Sequence, residues 1–187
     1  PVLADEASAA QWRGYISAQQ GEWADARAKF ANGDRALDLF PPLWRARFLH
    51  AQAKAALGTG DLIGAARLIA DALKQPKVPI EDQLDIRLTQ ARIFEAKGEK
   101  TRALRMFQAI AKAPIDRIAA LAMLHATQLR LAKGQIDPAT AANELNQLRF
   151  RWRGDGVELE TMRGVGKLFI DQGRYREALE VLHSAGN

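Results

Sequence analysis

The apolar residues of this chain fall at helical spacings, three or four positions apart, and no stretch alternates as a half-buried strand would. Trp23, Ala26, Phe30, Leu37 and Phe40 trace much of one such stripe. Short polar segments interrupt the pattern at similar intervals: QGEW at 20–23, TGDL at 59–62, KGEK at 97–100, KGQI at 133–136 and QGRY at 172–175. Their glycines, Gly21, Gly60, Gly98, Gly134 and Gly173, stand 39, 38, 36 and 39 positions apart. A constant period in the range of about 20 to 50 residues is the mark of a repeat architecture.

Each glycine sits between two helical stretches. There it can take the left-handed conformation that ends a helix without a side-chain clash, so the next helix starts within one or two residues and runs antiparallel. The looser breaks contain proline or glycine: Phe40 to Pro42, Gln75 to Pro79, Pro114, and RWRGDG at 151–156. Proline disfavours helix at the residue before it, which makes these the boundaries between pairs. The alternation predicts helices over about 7–20, 23–39, 43–57, 62–74, 81–96, 99–112, 115–132, 138–150, 156–171 and 174–184. The fold class is therefore all-α, with about five antiparallel helix pairs stacked in series as a solenoid.

The last unit carries a family likeness. Gly166, Phe169, Gly173, Tyr175, Ala178, Leu182 and Ala185 follow the order of small, aromatic, Gly, aromatic and Ala positions of a tetratricopeptide repeat, which this chain resembles. The first unit matches through Gly14, Gly21, Trp23, Ala26 and Phe30, the second through Ala53, Ala56, Gly60, Leu62, Ala65, Ile69 and Ala72, and the third through Ala91, Phe94, Gly98, Ala103 and Phe107. Small residues such as Ala26, Ala65, Ala103 and Ala178 allow helix axes to approach within about 8 to 10 Å. Phe30, Ile69, Phe107 and Leu182, one turn on, fill the space between them. The fourth unit departs: Asp137 and Pro138 read as an N-cap and first-turn proline, so its second helix starts late, with Leu145 and Leu148 serving the core in a shifted register. The resemblance implies a right-handed αα superhelix forming one domain over 1–187, with units of about 7–40, 43–75, 81–113, 115–150 and 156–185.

Composition narrows the rest. The chain has 187 residues, 48% hydrophobic and 26% charged, enough for a packed core and unlike a disordered chain. Much of the hydrophobic fraction is alanine and leucine, which suits closely approaching helices. With no cysteine there is no disulfide framework, thiolate nucleophile or cysteine metal site. The net charge of +5 permits an acidic partner without identifying one. No apolar run is long enough to span a membrane. The opening PVLADE, without an initiator Met, reads as a processed or excised segment of a larger protein, and the alanine and arginine bias with RFRWRGDG reads as bacterial.

The residues offer little catalytic chemistry. His50, His125 and His183 sit singly in different units, so no metal site and no cofactor is expected. Glu81, Asp82 and Asp85 open a helix, where capping and solvation account for them. No GxSxG or phosphate-loop pattern is present, and Gly164 to Gly166 (GVG) reads as a close-packing site. A divergent enzyme ranks third among the functions considered.

The resemblance instead implies a non-catalytic protein-binding or scaffold module whose first helices line a concave groove. Repeat phase nominates Gln11 and Tyr15, then Arg47, His50 and Lys54, then Asp85, Leu88 and Arg92, then Leu124, Gln128 and Leu131, and last Arg163 and Lys167. That face is more basic than acidic and partly apolar, which favours an acidic, partly apolar peptide or protein partner. The Lys and Asn positions of carboxylate-clamping relatives fall here on Gln11, Tyr15 and Ala51, and a further basic pair on Asp85 and Thr89, which argues against a clamp. The runner-up is a nucleic-acid surface made by Arg149, Arg151, Trp152 and Arg153. The competing structural reading has Phe150 and Trp152 anchoring a linker while Asp155 caps the next helix.

Overall fold

The computed structural model describes residues 2–151 and 156–183, with side chains except those of 2–5, 116, 149–151 and 156–161. Among the described residues there are ten α-helices and no strand: α1 (Val2–Gln19), α2 (Trp23–Gly33), α3 (Pro42–Gly58), α4 (Leu62–Leu73), α5 (Ile80–Ala96), α6 (Lys100–Ile110), α7 (Asp116–Ala132), α8 (Pro138–Arg151), α9 (Gly156–Asp171) and α10 (Tyr175–His183). Two compact units result, Pro1–Glu99 and Lys100–Asn187. In the first, α1 packs on α2 and α3 on α4, α2 and α4 each meet the following helix, and α1, α3 and α5 touch in order. In the second, α6 to α10 pack successively, with α7 also against α9.

The five turn glycines share one geometry, with φ of +77, +82, +81, +66 and +72°. The residue after each donates its backbone N–H to the carbonyl five positions back at 2.8 to 2.9 Å: Glu22 to Ser17, Asp61 to Ala56, Glu99 to Phe94, Gln135 to Arg130 and Arg174 to Phe169. These bonds satisfy carbonyls that the ending helix would leave open. A Cβ on Gly60, Gly98, Gly134 or Gly173 would meet nothing within 4 Å, so the sign of φ, rather than lack of space, calls for glycine there.

After four of these glycines the next helix begins two residues on, whereas α8 begins at Pro138, four after Gly134. The delay follows from the cap. The Asp137 carboxylate accepts hydrogen bonds from the backbone N–H groups of Ala139 and Thr140, each at 2.9 Å, and from the Thr140 hydroxyl at 2.6 Å. These bonds, led by the Thr140 hydroxyl, hold the Asp137 carboxyl below its usual range.

One predicted helix is shorter than expected. The stretch 23–39 is α-helical only to Gly33, and Asp34–Leu39 continues as a 3-10 helix. A Cβ at Gly33 would lie 2.9 Å from the Gln11 backbone nitrogen, so α2 crosses α1 there in near contact. Beyond it the chain tightens and Phe40 becomes extended (ψ 150°) ahead of Pro41.

The small core positions fall as the repeat phase predicts, and so do Phe30, Ile69 and Phe107, whereas Leu182, expected to fill the space beside Ala178, is 40% exposed. Ala26, Ala65 and Ala103 are fully buried, and so are Ile69 and Phe107, each large side chain contributing roughly 1.5–3 kcal/mol by burial. A Cβ on Gly14 would stand 2.8 Å from the Phe30 ring, and one on Gly166 3.0 Å from Leu182. Leu145 and Leu148 enter the core of the second unit while Asn143 is exposed, which is the shifted register expected of α8. Tyr175, by contrast, opens α10 on the surface, and Ala185 and Asp155 lie outside the described residues.

Candidate functional site

Three of the nominated groove residues face a neighbouring helix instead of open space. Arg47, His50 and Lys54 lie at i, i+3 and i+7 on α3, opposite Asp82, Asp85 and Thr89 at the same spacing on α5. The Arg47 guanidinium donates from Nε to Asp82 Oδ1 at 2.7 Å and from Nη2 to Oδ2 at 3.2 Å. Lys54 Nζ donates to Asp85 Oδ2 at 3.4 Å, and His50 Nε2 shares a hydrogen bond of 2.7 Å with the Thr89 hydroxyl. The expected basic face is therefore balanced here by two carboxylates of the same unit. Asp82 and Asp85 also do more than cap and solvate a helix start; they tie α5 to α3.

His50 is a buried residue, against its nomination as a groove side chain. Burial above all, then the Lys54 ammonium, pushes its pKa down to about 3, and Asp85 only partly opposes this. Its Nδ1 stands 3.9 Å from Asp85 Oδ2, close enough for an ion pair were the ring charged. Lys54 already holds that carboxylate, and an imidazolium would have to be desolvated, so the ring is neutral.

Gln11 is likewise fully buried, its Oε1 accepting from Gln52 Nε2 at 3.4 Å. Tyr15 is half-buried, with its hydroxyl accepting from Gln19 Nε2 at 2.9 Å. It belongs to an aromatic ridge that repeat phase only partly located. Trp12 meets the Trp44 ring edge-on with centroids 4.5 Å apart, and Tyr15 lies 6.2 Å from each of them. Phe48 closes the ridge from below, 5.0 Å from Trp12 and fully buried. The Arg47 guanidinium lies 5.0 Å over Trp44. Trp12 is 37% exposed and Ile16, one turn on, is 53% exposed, so α1 and α3 present a partly open aromatic surface, with the Arg47 charge beside it already paired to Asp82. Helical periodicity holds the signal for Trp12 and Trp44, but the register that phase selected on α1 points one residue inward of the open face.

In the second unit Leu124 is fully buried in the core and Leu131 packs against it. Gln128 is half-buried, its Nε2 3.1 Å from where a Cβ on Gly164 would stand, so Gly164 is the close-packing site predicted for GVG. Arg163 and Lys167 on α9 are exposed, as is Arg92 on α5, while Leu88 is buried. Arg149 and Arg151 fall within α8, and Trp152 and Arg153 lie outside the described residues. His125 stacks on Phe107 with centroids 5.1 Å apart. Among the described residues no group of three His, Cys, Asp or Glu is placed to hold a metal ion, and no helix is long and apolar enough to cross a membrane.

No family model and no curated protein matches the sequence. Two solved structures match nearly all of it. One is a point-substituted form of the nearly identical TPR-like repeats of a Podosopora anserina protein assigned as a kinesin light chain, with a TM-score of 0.59, 15% identity, and coverage of 98% of this chain and 94% of that one. The other, from the same source, gives a TM-score of 0.57 and 16% identity over 94% of this chain and 91% of that one. The chain has a TPR-like helical-repeat fold. At these identities the TPR-like match concerns the fold, in agreement with the glycine turns and buried alanines. Both matched proteins are fungal, and neither supports the bacterial origin read from composition.

Proposed function

We propose that this chain is a non-catalytic protein-interaction or scaffold module that engages a peptide or protein surface with the first helices of its pairs. The observation that carries this reading is the ridge of Trp12, Tyr15 and Trp44, left partly open and crossed by Arg47 on a TPR-like scaffold. Aromatic side chains offer large contact areas with few rotatable bonds, and a guanidinium beside them adds directed hydrogen bonds. Preference for an acidic partner rests on the exposed Arg92, Arg163 and Lys167. Arg47 and Lys54 join them only where a partner carboxylate competes with Asp82 or Asp85. Treating 1–187 as one repeat domain of five pairs is part of the same reading.

The test is a peptide array probed with the labelled full chain, its hits re-measured by calorimetry. Support requires hits enriched in acidic and apolar residues that weaken with Tyr15→Ala and Trp12→Ala while circular dichroism stays unchanged. Hits indifferent to both substitutions would refute the ridge as the contact. Submicromolar binding of random oligonucleotides near physiological salt, lost with Trp152→Ala in a folded variant, would replace this reading with the nucleic-acid one.

A further inference from the structure

The same groove occurs twice in this fold, once narrow and once wide. In the first unit, α2 and α4 flank α3, and the space between them is only about 180 Å³, lined by residues including Ala31, Asp34, Gln52 and Ala56. Arg27 bridges it, donating to the Thr59 hydroxyl at 2.8 Å and to Asp61 Oδ2 at 3.0 Å. Transposed by the spacing of the turn glycines, from Gly21 to Gly98 and from Gly60 to Gly134, these four positions become Gln108, Ala111, Ala126 and Arg130. All four line the corresponding groove of the second unit, where α6 and α8 flank α7 and the volume reaches about 690 Å³. The difference coincides with the turn before α8, two residues longer than the turn before α4. A space of that size suits a ligand with a few bulky groups.

Its chemistry is specific. Met123, 38% exposed, together with Ala126, Leu145 and Leu148, makes an apolar floor. Glu144, the acid on the wall, is already neutralised: the Thr127 hydroxyl donates to Oε2 at 2.7 Å, and Arg130 Nη1 lies 3.0 Å from both oxygens. Lys112 at the rim is exposed and has no ion-pair partner among the described residues, so it is the uncompensated charge. Gln108 and Gln147 stand on opposite sides, each able to donate to and accept from a peptide group.

From this complementarity we infer that the α6–α7–α8 groove is a second docking site, separate from the aromatic ridge, for a protein segment that places a bulky apolar side chain beside a carboxylate. The apolar group rests on Met123 and Ala126, and the carboxylate pairs with Lys112. The inference is independent of the ridge and stands or falls without it.

The full chain carrying methyl-labelled methionine tests this by NMR, because its three methionines include Met123 in the groove and Met162 in the core. Two probes are titrated, the capped peptide Gly-Leu-Phe-Asp-Glu-Gly and its twin with Lys in place of Asp and Glu. The acidic peptide is expected to shift the Met123 methyl but not that of Met162, with the basic twin about tenfold weaker. Lys112→Glu, a surface change, should reverse the order, and Ala111→Phe should block both. An unmoved Met123, equal shifts from the two peptides, or indifference to Lys112→Glu would overturn the inference. So would a Met123 shift that depends on protein concentration alone, since the occupant would then be a second copy.

Discussion

Because His50 is held neutral inside the polar contact between α3 and α5, acidification should weaken the fold well above the range where carboxylates titrate. In the folded chain its pKa is about 3, against 6.5 for an unrestrained imidazole. Between those values the unfolded chain binds a proton that the folded chain refuses, so stability falls as pH falls and is complete only above about 6.5. At pH 5 the gap to 6.5 is about 1.5 pH units, worth about 2 kcal/mol relative to pH 7.5. Asp25, Asp137 and Glu177, all held below their usual ranges, lose their protons under more acidic conditions and leave this window clear. Urea unfolding at pH 5, 6, 7 and 7.5, on the parent and on His50→Gln, isolates the effect, because the substitution removes one titrating group while leaving His125 and His183 in place. The parent should lose about 2 kcal/mol across the series and the variant much less. Equal slopes would refute the reasoning, and a parent that gains stability on acidification would show that Asp85 holds a charged imidazolium instead.

Other consequences follow from the packing. Ala65→Leu should cost about 1–3 kcal/mol by overpacking, while Ala70→Leu on the exposed side of the same helix should change little; chemical denaturation compares them. At Gly60, with φ +82° and open space around it, Gly60→Val should destabilise more than Gly60→Asn, by about 1 kcal/mol or more, and equal effects would show that the left-handed turn does not matter. A double-mutant cycle on Arg47 and Asp82, which form a two-point pair with side chains 35% and 18% exposed, should give a coupling near 1 kcal/mol, against almost none for the more exposed Lys74 and Asp71.

Helix boundaries were legible because glycine and proline act locally. A left-handed Gly98 ends a helix whatever lies around it, and the helix ends fall within a few residues of their expected places, apart from the end of α2 and the start of α1. Core positions were legible for a related reason: Ala26 and Phe30, or Ala103 and Phe107, carry their packing role in their size. The binding face was harder to read, since repeat phase says which helix faces inward but not its rotation about its own axis. A rotation of one residue, about 100°, separates buried Gln11 from half-open Trp12. Charge gave no help there, because the acids that balance Arg47 and Lys54 lie 35 and 31 positions away. The α8 groove had a visible cue in Asp137 and Pro138, but its volume depends on where α6 lies.

A protein assembled from look-alike modules faces a problem of order: alanine-lined surfaces fit one another almost interchangeably, so nothing in them says which pair comes next. The matched trio of α3 and α5 supplies an address. Arg47 reads Asp82, His50 reads Thr89 and Lys54 reads Asp85; slipping α5 by one turn would bring Asp82 towards the uncharged His50 and leave Arg47 without its acid. Duplicating or transposing the second pair by gene rearrangement should therefore yield a chain that keeps its helices yet docks them poorly, whereas the same rearrangement with 47, 50 and 54 copied alongside 82, 85 and 89 should assemble. The modules share a shape, and this polar trio gives one of their junctions its place in the sequence of the array.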